Sequence, residues 1–203
     1  EIRSRGLGDV YKRQPKIMSI VNTTPDSFYD GGKYNTIEKA LQKVELDISN
    51  NTTFIDVGGY SSKPNANHVT EEEELKRTIP TIEAILNSFP KAVISIDTFR
   101  GKVAKEAIEA GAAMINDISA FELDKEMINT LSTYKVPYVL MHMQGTPQNM
   151  QENPCYKNVV KDIIQFLDNK ISKLKTFGIH DIVVDPGFGF GKTLSNNCLL
   201  YTS

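Results

Sequence analysis

Asn22, Asp56, Asp97, Asn116, His142 and Asp185 each stand at or near the end of a short apolar, β-prone run. A side chain at the C-terminal end of a strand in an α/β protein faces the region where ligands bind. Asp97 and Asp185 offer carboxylate acceptors, and Asn116 an amide that both donates and accepts. Such a set matches a planar heterocycle with amino and ring N–H groups beside a lactam. A carboxylate facing a guanidine-like edge forms two parallel, charge-assisted hydrogen bonds. Asn22 is a neutral oxygen ligand of the kind that suits Mg²⁺, which keeps waters and takes other ligands from substrate phosphates. Thr24, Ser61 and Ser62 can donate to phosphate oxygens, helped by the Gly58-Gly59 backbone. His142 has no nearby Ser or Cys to activate, and it reads as a packing residue. The constellation binds and orients; it does not resemble a nucleophile beside its base.

The run Asp185-Pro186-Gly187-Phe188-Gly189-Phe190-Gly191-Lys192 follows the apolar stretch Ile182-Val183-Val184. Alternate glycines allow close backbone approach or positive φ, and the aromatics between them offer flat faces to a planar ligand. Two phosphate-loop motifs fail here by one residue each. A Walker loop ending at Gly191-Lys192-Thr193 would need glycine where Pro186 stands, and a dinucleotide fingerprint from Gly187 would need glycine at Lys192.

The elements that must position these groups alternate regularly. Apolar runs predict strands near 17–22, 54–57, 93–97, 114–117, 137–142 and 182–185. Helical spacing appears in 36–49, 101–110, 124–133 and 156–177, with Gly111 and Gly178 as closing glycines. Thr70 and Glu73 form a capping box that opens a helix to about Ser88, which Pro80 should kink. Repeated βα units imply a parallel sheet covered by helices, as a doubly wound sheet or a (β/α)8 barrel.

A net charge of −2 leaves no electrostatic footprint for nucleic acid or an anionic membrane. No apolar run reaches the roughly 20 residues of a membrane span. Two cysteines and three scattered histidines do not make a zinc site, and a reducing cytoplasm is the expected setting. Residues 1–14 and 195–203 fit neither strand nor helix patterns and read as non-native or disordered flanks, leaving 15–194 as the folded domain.

Six segments together resemble the dihydropteroate synthases of the pterin-binding barrel superfamily. They are Ser19 through Phe28, Asp56 through Pro64, Ser95-Ile96-Asp97-Thr98, Ile115-Asn116-Asp117-Ile118, Leu140 through Gly145, and Asp185 through Lys192, in family order and spacing over about 15–194. The resemblance implies a TIM (β/α)8 barrel, truncated after about strand 6. It implies an enzyme that joins 6-hydroxymethyl-7,8-dihydropterin pyrophosphate to p-aminobenzoate, giving 7,8-dihydropteroate and pyrophosphate. By the same resemblance, Asp97, Asn116 and Asp185 would hold the pterin, with Ile118 and Met141 against its ring. Asn22 would ligate Mg²⁺, and a loop with Thr24, Asp26 and Phe28 would close over the site. Phe28, Ser62, Pro64 and Phe190 would line the p-aminobenzoate pocket, where sulfonamides compete, with Ser61 beside the pyrophosphate. The full-length protein is expected to be a homodimer. Ser62, Lys63 and Asn65 stand where the family commonly has Thr, Arg and Gly. The family's later Ser-Arg-Lys and Arg-x-His segments are not in this sequence, so the chain is expected to span about three quarters of such an enzyme and to show little stability or activity by itself. A corrinoid methyltransferase that uses a pterin, or a non-catalytic pterin-binding module, would share the pterin residues. The methyltransferase would lack the Asn22-to-Phe28 loop.

Overall fold

The computed structural model describes residues 15–23, 33–61 and 68–203. Among them, six strands alternate with six helices: β1 (Met18–Asn22), α1 (Lys33–Ser49), β2 (Phe54–Gly58), α2 (Glu71–Ser88), β3 (Val93–Asp97), α3 (Gly101–Glu109), β4 (Met114–Asp117), α4 (Glu126–Tyr134), β5 (Tyr138–Met141), α5 (Val159–Thr176), β6 (Ile182–Asp185) and α6 (Leu194–Tyr201). All five strand pairings are parallel, and the strands lie side by side in chain order. A doubly wound sheet reverses its strand order at a switch point. Sequential order is instead the winding of a (β/α)8 barrel.

Alternation along each strand sorts the side chains. Val21, Ile55, Val57, Ile94, Ile96, Ile115 and Leu140 face outward and are buried against Ala40, Val44, Ile82, Ile85, Val103, Ala107 and Leu131 of the helical layer. The other face carries Asn22, Asp56, Gly58, Ser95, Asp97 and Asn116. On the two edge strands, Ile20 and Val183 occupy that face and are about half exposed.

Helix ends follow local chemistry. The Thr70 hydroxyl accepts from the Glu73 amide at 3.3 Å, and four glutamates fill the first turn of α2, where the helix dipole favours negative charge. That helix runs unbroken through Pro80. Asn158 caps α5, and Lys173 and Lys175 sit in its last turn. Thr193 caps α6, none of whose residues is buried. Gly111 and Gly178 take positive φ at 110° and 75° behind α3 and α5.

Candidate active site

Strand register gathers the predicted residues. Asn22 pairs with Gly58, Gly58 with Asp97, and Asp97 with Asn116, so three of these side chains stand in one row around a glycine. A β-carbon on Gly58 would lie 3.2 Å from Asp97 Oδ2 and 3.5 Å from Asn22 Oδ1. The missing side chain therefore leaves a cradle with an oxygen on each side. Asp185 pairs with Met141, one pleat further toward the same rim. Its Oδ1 accepts from the Gly187 amide at 2.7 Å, which anchors the carboxylate at the strand end.

One carboxylate lies deeper on this face. Asp56, two residues before Gly58, shares the inner face and is 3% exposed. Its Oδ2 accepts from Asn116 Nδ2 at 2.9 Å, while Oδ1 is buried without a hydrogen-bond partner. Burial pushes the Asp56 carboxyl above its ordinary range, against the opposing pull of the Ser95 hydroxyl and then the Asn116 amide. Asp97 is pushed well above its ordinary range, first by burial and then by the negative charges of Asp56, Glu74 and Asp117. Asp117 faces outward. Its oxygens accept from the amides of Ser119 and Phe121 and from the Tyr138 hydroxyl, which makes it a turn anchor.

An apolar wall completes the mouth. Ile118, Met141, Met143 and Met150 form a buried cluster with Phe190 packed against it. Phe188, the other aromatic of the glycine loop, is about half exposed, so only one of the two rings joins this wall. Ser61 lies half-buried beyond β2. Thr24, Asp26, Phe28, Ser62, Lys63, Pro64 and Asn65 fall outside the described residues.

The glycine loop is held from below. Gly187 has φ +69°, and a β-carbon there would come within 2.0 Å of the His142 carbonyl oxygen. Gly189 has φ +81° and open space around it. We expect Gly187→Ala to cost roughly 2–3 kcal/mol, from left-handed strain plus overpacking, and Gly189→Ala roughly 1 kcal/mol from strain alone. Chemical denaturation of both variants checks this; equal costs would contradict the close approach.

His142 is buried, its ring edge-on to Phe166 at 4.8 Å and its Nδ1 3.1 Å from Lys192 Nζ. Burial and the Lys192 charge push it from 6.5 down to about 4. The unfolded chain thus takes up a proton near pH 6.5 that the folded chain refuses until about pH 4, and stability falls as pH drops through that window. The loss should approach roughly 3 kcal/mol. Urea midpoints for wild type and His142→Asn measure it, because the difference between them cancels the carboxylates; parallel pH curves would refute it.

Several contacts that shape the site are not visible in the sequence: Asp56 as the partner of Asn116, Met143 and Met150 in the wall, the burial of Lys192, and the Arg100–Glu74 pair. Glu74 is fully buried, and Arg100 pairs with it while donating to the Val69 carbonyl at 2.6 Å. Asp56 was legible by alternation, since residues two apart on a strand share a face. Among the described residues, no group of three or more His, Cys, Asp or Glu could hold a metal ion.

Comparison with known proteins agrees with this geometry. The family model described as "Pterin binding enzyme" matches residues 18–203. The dihydropteroate synthase of Clostridium beijerinckii is 47% identical over 183 residues, which are 89% of this chain and 65% of that protein. A dihydropteroate synthase of Yersinia pestis, solved in complex with a sulfonamide drug, superposes with a TM-score of 0.86 at 40% identity, covering 93% of this chain and 69% of that one. That of Xanthomonas albilineans, solved with 7,8-dihydropteroate, gives 0.81 at 36% identity, covering 94% and 67%. The chain thus spans about two thirds of the length of these relatives, less than the three quarters expected from the motifs. Sequential barrel winding, the rim of acids and amides and these matches agree: the chain belongs to the pterin-binding enzyme family, among its dihydropteroate synthases.

Proposed function

We propose that this chain carries the pterin side of a dihydropteroate synthase, which condenses 6-hydroxymethyl-7,8-dihydropterin pyrophosphate with p-aminobenzoate. The observation that carries the reading is the row Asn22, Gly58, Asp97, Asn116, with Asp185 above it on the same rim. Asp97, Asn116 and Asp185 receive the N–H groups of the ring, and Ile118, Met141 and Phe190 cover its faces. The bond from the pterin methylene to pyrophosphate oxygen breaks, the positive charge left on the methylene is stabilised by the buried acids, and the arylamine nitrogen forms the new bond as it loses a proton. This route asks for no strong general base. Thr24, Asp26 and Phe28 close over the reacting atoms, while Ser61, Ser62, Pro64 and Phe190 orient pyrophosphate and arylamine, an effect of position more than of chemistry.

The neutral Asn22 oxygen beside the Gly58 cradle suits a Mg²⁺ that keeps most of its ligands as water and phosphate. When bound, the ion neutralises charge on the departing pyrophosphate. A cytoplasmic setting fits the two exposed free thiols, Cys155 and Cys198. It also fits the absence, among the described residues, of any helix long and apolar enough to cross a membrane.

The test is an assay of the complete gene product with both substrates and Mg²⁺, reading 7,8-dihydropteroate by mass spectrometry. Product is expected, and its formation should fall when a sulfonamide is added. No dihydropteroate under these conditions rejects the proposal.

A further inference from the structure

Lys192 is a lysine with 3% of its surface exposed, and the ring-binding scheme above gives it no task. Its Nζ lies 2.8 Å from the Gly187 carbonyl oxygen, 2.9 Å from that of Phe190, 3.2 Å from that of His142 and 3.1 Å from His142 Nδ1. Among the described residues, no carboxylate lies within ion-pair distance of it. An ammonium carries three donors and no acceptor. Three carbonyl oxygens and an imidazole nitrogen around it have the chemistry of a carbonyl-lined cation site whose cation is tethered to the chain. Burial lowers the lysine from 10.5 to about 8, with Asp185 acting in the opposite sense. The charge is costly there, and the surrounding acceptors are what it has in return for water.

The acceptors come from two places. Gly187 and Phe190 are on the glycine loop; His142 directly follows β5. One nitrogen therefore joins the loop to the sheet. Both functional groups of the loop depend on that join: Asp185 through the Gly187 amide on its Oδ1, and the Phe190 ring through its own carbonyl. Further pins act on the outer side, where the Tyr156 hydroxyl donates to the Gly191 carbonyl at 2.7 Å and Gln151 donates to that of Gly189.

We propose that Lys192 is a positioning residue of this site, its ammonium serving as a tethered cation that sets the 187–191 loop and, through it, the Asp185 carboxylate and the Phe190 ring. The consequence for catalysis rests on the reading of Asp185 and Phe190 as pterin and arylamine contacts; the placement of the loop does not.

The chain contains no tryptophan, so Phe190→Trp introduces a single fluorescent reporter on the loop. In that background, Lys192→Met should shift emission to the red and speed acrylamide quenching several-fold, with far-ultraviolet circular dichroism unchanged. Lys192→Ala should behave likewise and recover on adding ethylammonium, which restores the donors, but not on adding tetramethylammonium, which restores charge only. Unchanged emission in a folded Lys192→Met, or equal recovery with both cations, would overturn the proposal. Should the variants fail to fold, hydrogen exchange on the wild type decides: the Phe190 amide, bonded to the Gly187 carbonyl at 3.1 Å, must be protected, and exchange at the rate of an open chain would refute a fixed loop. In the Phe190 background, Lys192→Met should weaken pterin affinity roughly 10- to 100-fold, the scale of a small misplacement of binding groups. A wild type that binds no pterin would reject the functional reading alone, because emission reports on the loop without any ligand.

Discussion

Replacing Asp97 with alanine should weaken pterin binding by roughly 2–5 kcal/mol, the range for removing one member of a buried, charged hydrogen bond. Asp97 ends β3 between Gly58 and Asn116 on the concave face, so the loss removes the acceptor at the centre of the row. Asp97 also sets a pH dependence. In the free site, burial and its acidic neighbours make it hold a proton more readily than an ordinary aspartate. A ring that donates N–H groups favours the ionised form, so the bound state holds fewer protons and raising the pH strengthens binding until the free-site group is itself ionised. Calorimetry in two buffers of different ionisation enthalpy should show that proton release, and Asp97→Asn should abolish it. A folded Asp97→Ala protein with undiminished affinity would remove the basis of the assignment.

Arg100→Met should destabilise the fold by roughly 3–5 kcal/mol, the cost of stripping one partner from a buried ion pair. Glu74 has no exposed side-chain surface, and its Oε1 is buried without a hydrogen-bond partner. Burial raises its carboxyl, and the nearby Thr98 hydroxyl and the Arg100 charge work against that rise. Without the guanidinium, Glu74 must stay charged in an apolar setting or take up a proton. Arg100 also lies 4.9 Å from the Phe99 ring centre and 5.5 Å from that of Tyr60, contacts that methionine replaces only in volume. Urea denaturation measures the effect. The double variant Arg100→Met, Glu74→Gln should recover part of the loss, since the two sites are coupled. A single-variant loss below about 1 kcal/mol would mean the pair is solvated like a surface bridge.

Much of this architecture was readable because it is local. Apolar runs gave the six strands, the Thr70–Glu73 box gave the start of α2, and Gly111 gave the end of α3. The sequential strand order was not readable from these patterns, which fit a doubly wound sheet equally well. The burial of Arg100 and Lys192 was not readable either, since both residue types normally stay in water, and Glu74 and His142, which they meet, are 26 and 50 positions away. Neighbouring Asn116 and Asp117 illustrate the same limit. Alternation allows only one to face the ligand side, and what keeps Asp117 on the other is a turn in which Ala120 and Phe121 take φ of +52° and +54°. Neither residue type advertises a left-handed backbone. The turn is held by the Asp117 carboxylate, an interaction visible only once the chain is folded.

The bond from Asn116 Nδ2 to Asp56 has a consequence for fidelity. With one amide N–H given to Asp56, Asn116 keeps its carbonyl oxygen as an acceptor in the row beside the Asp97 carboxylate. A deaminated ring, carrying a carbonyl where the substrate carries an amino group, would set oxygen against oxygen and leave buried acceptors unmet. Sites built to receive donors reject such analogues by far more than shape alone achieves. If the row receives a pterin as proposed, a deaminated one would be refused before any bond to the arylamine formed.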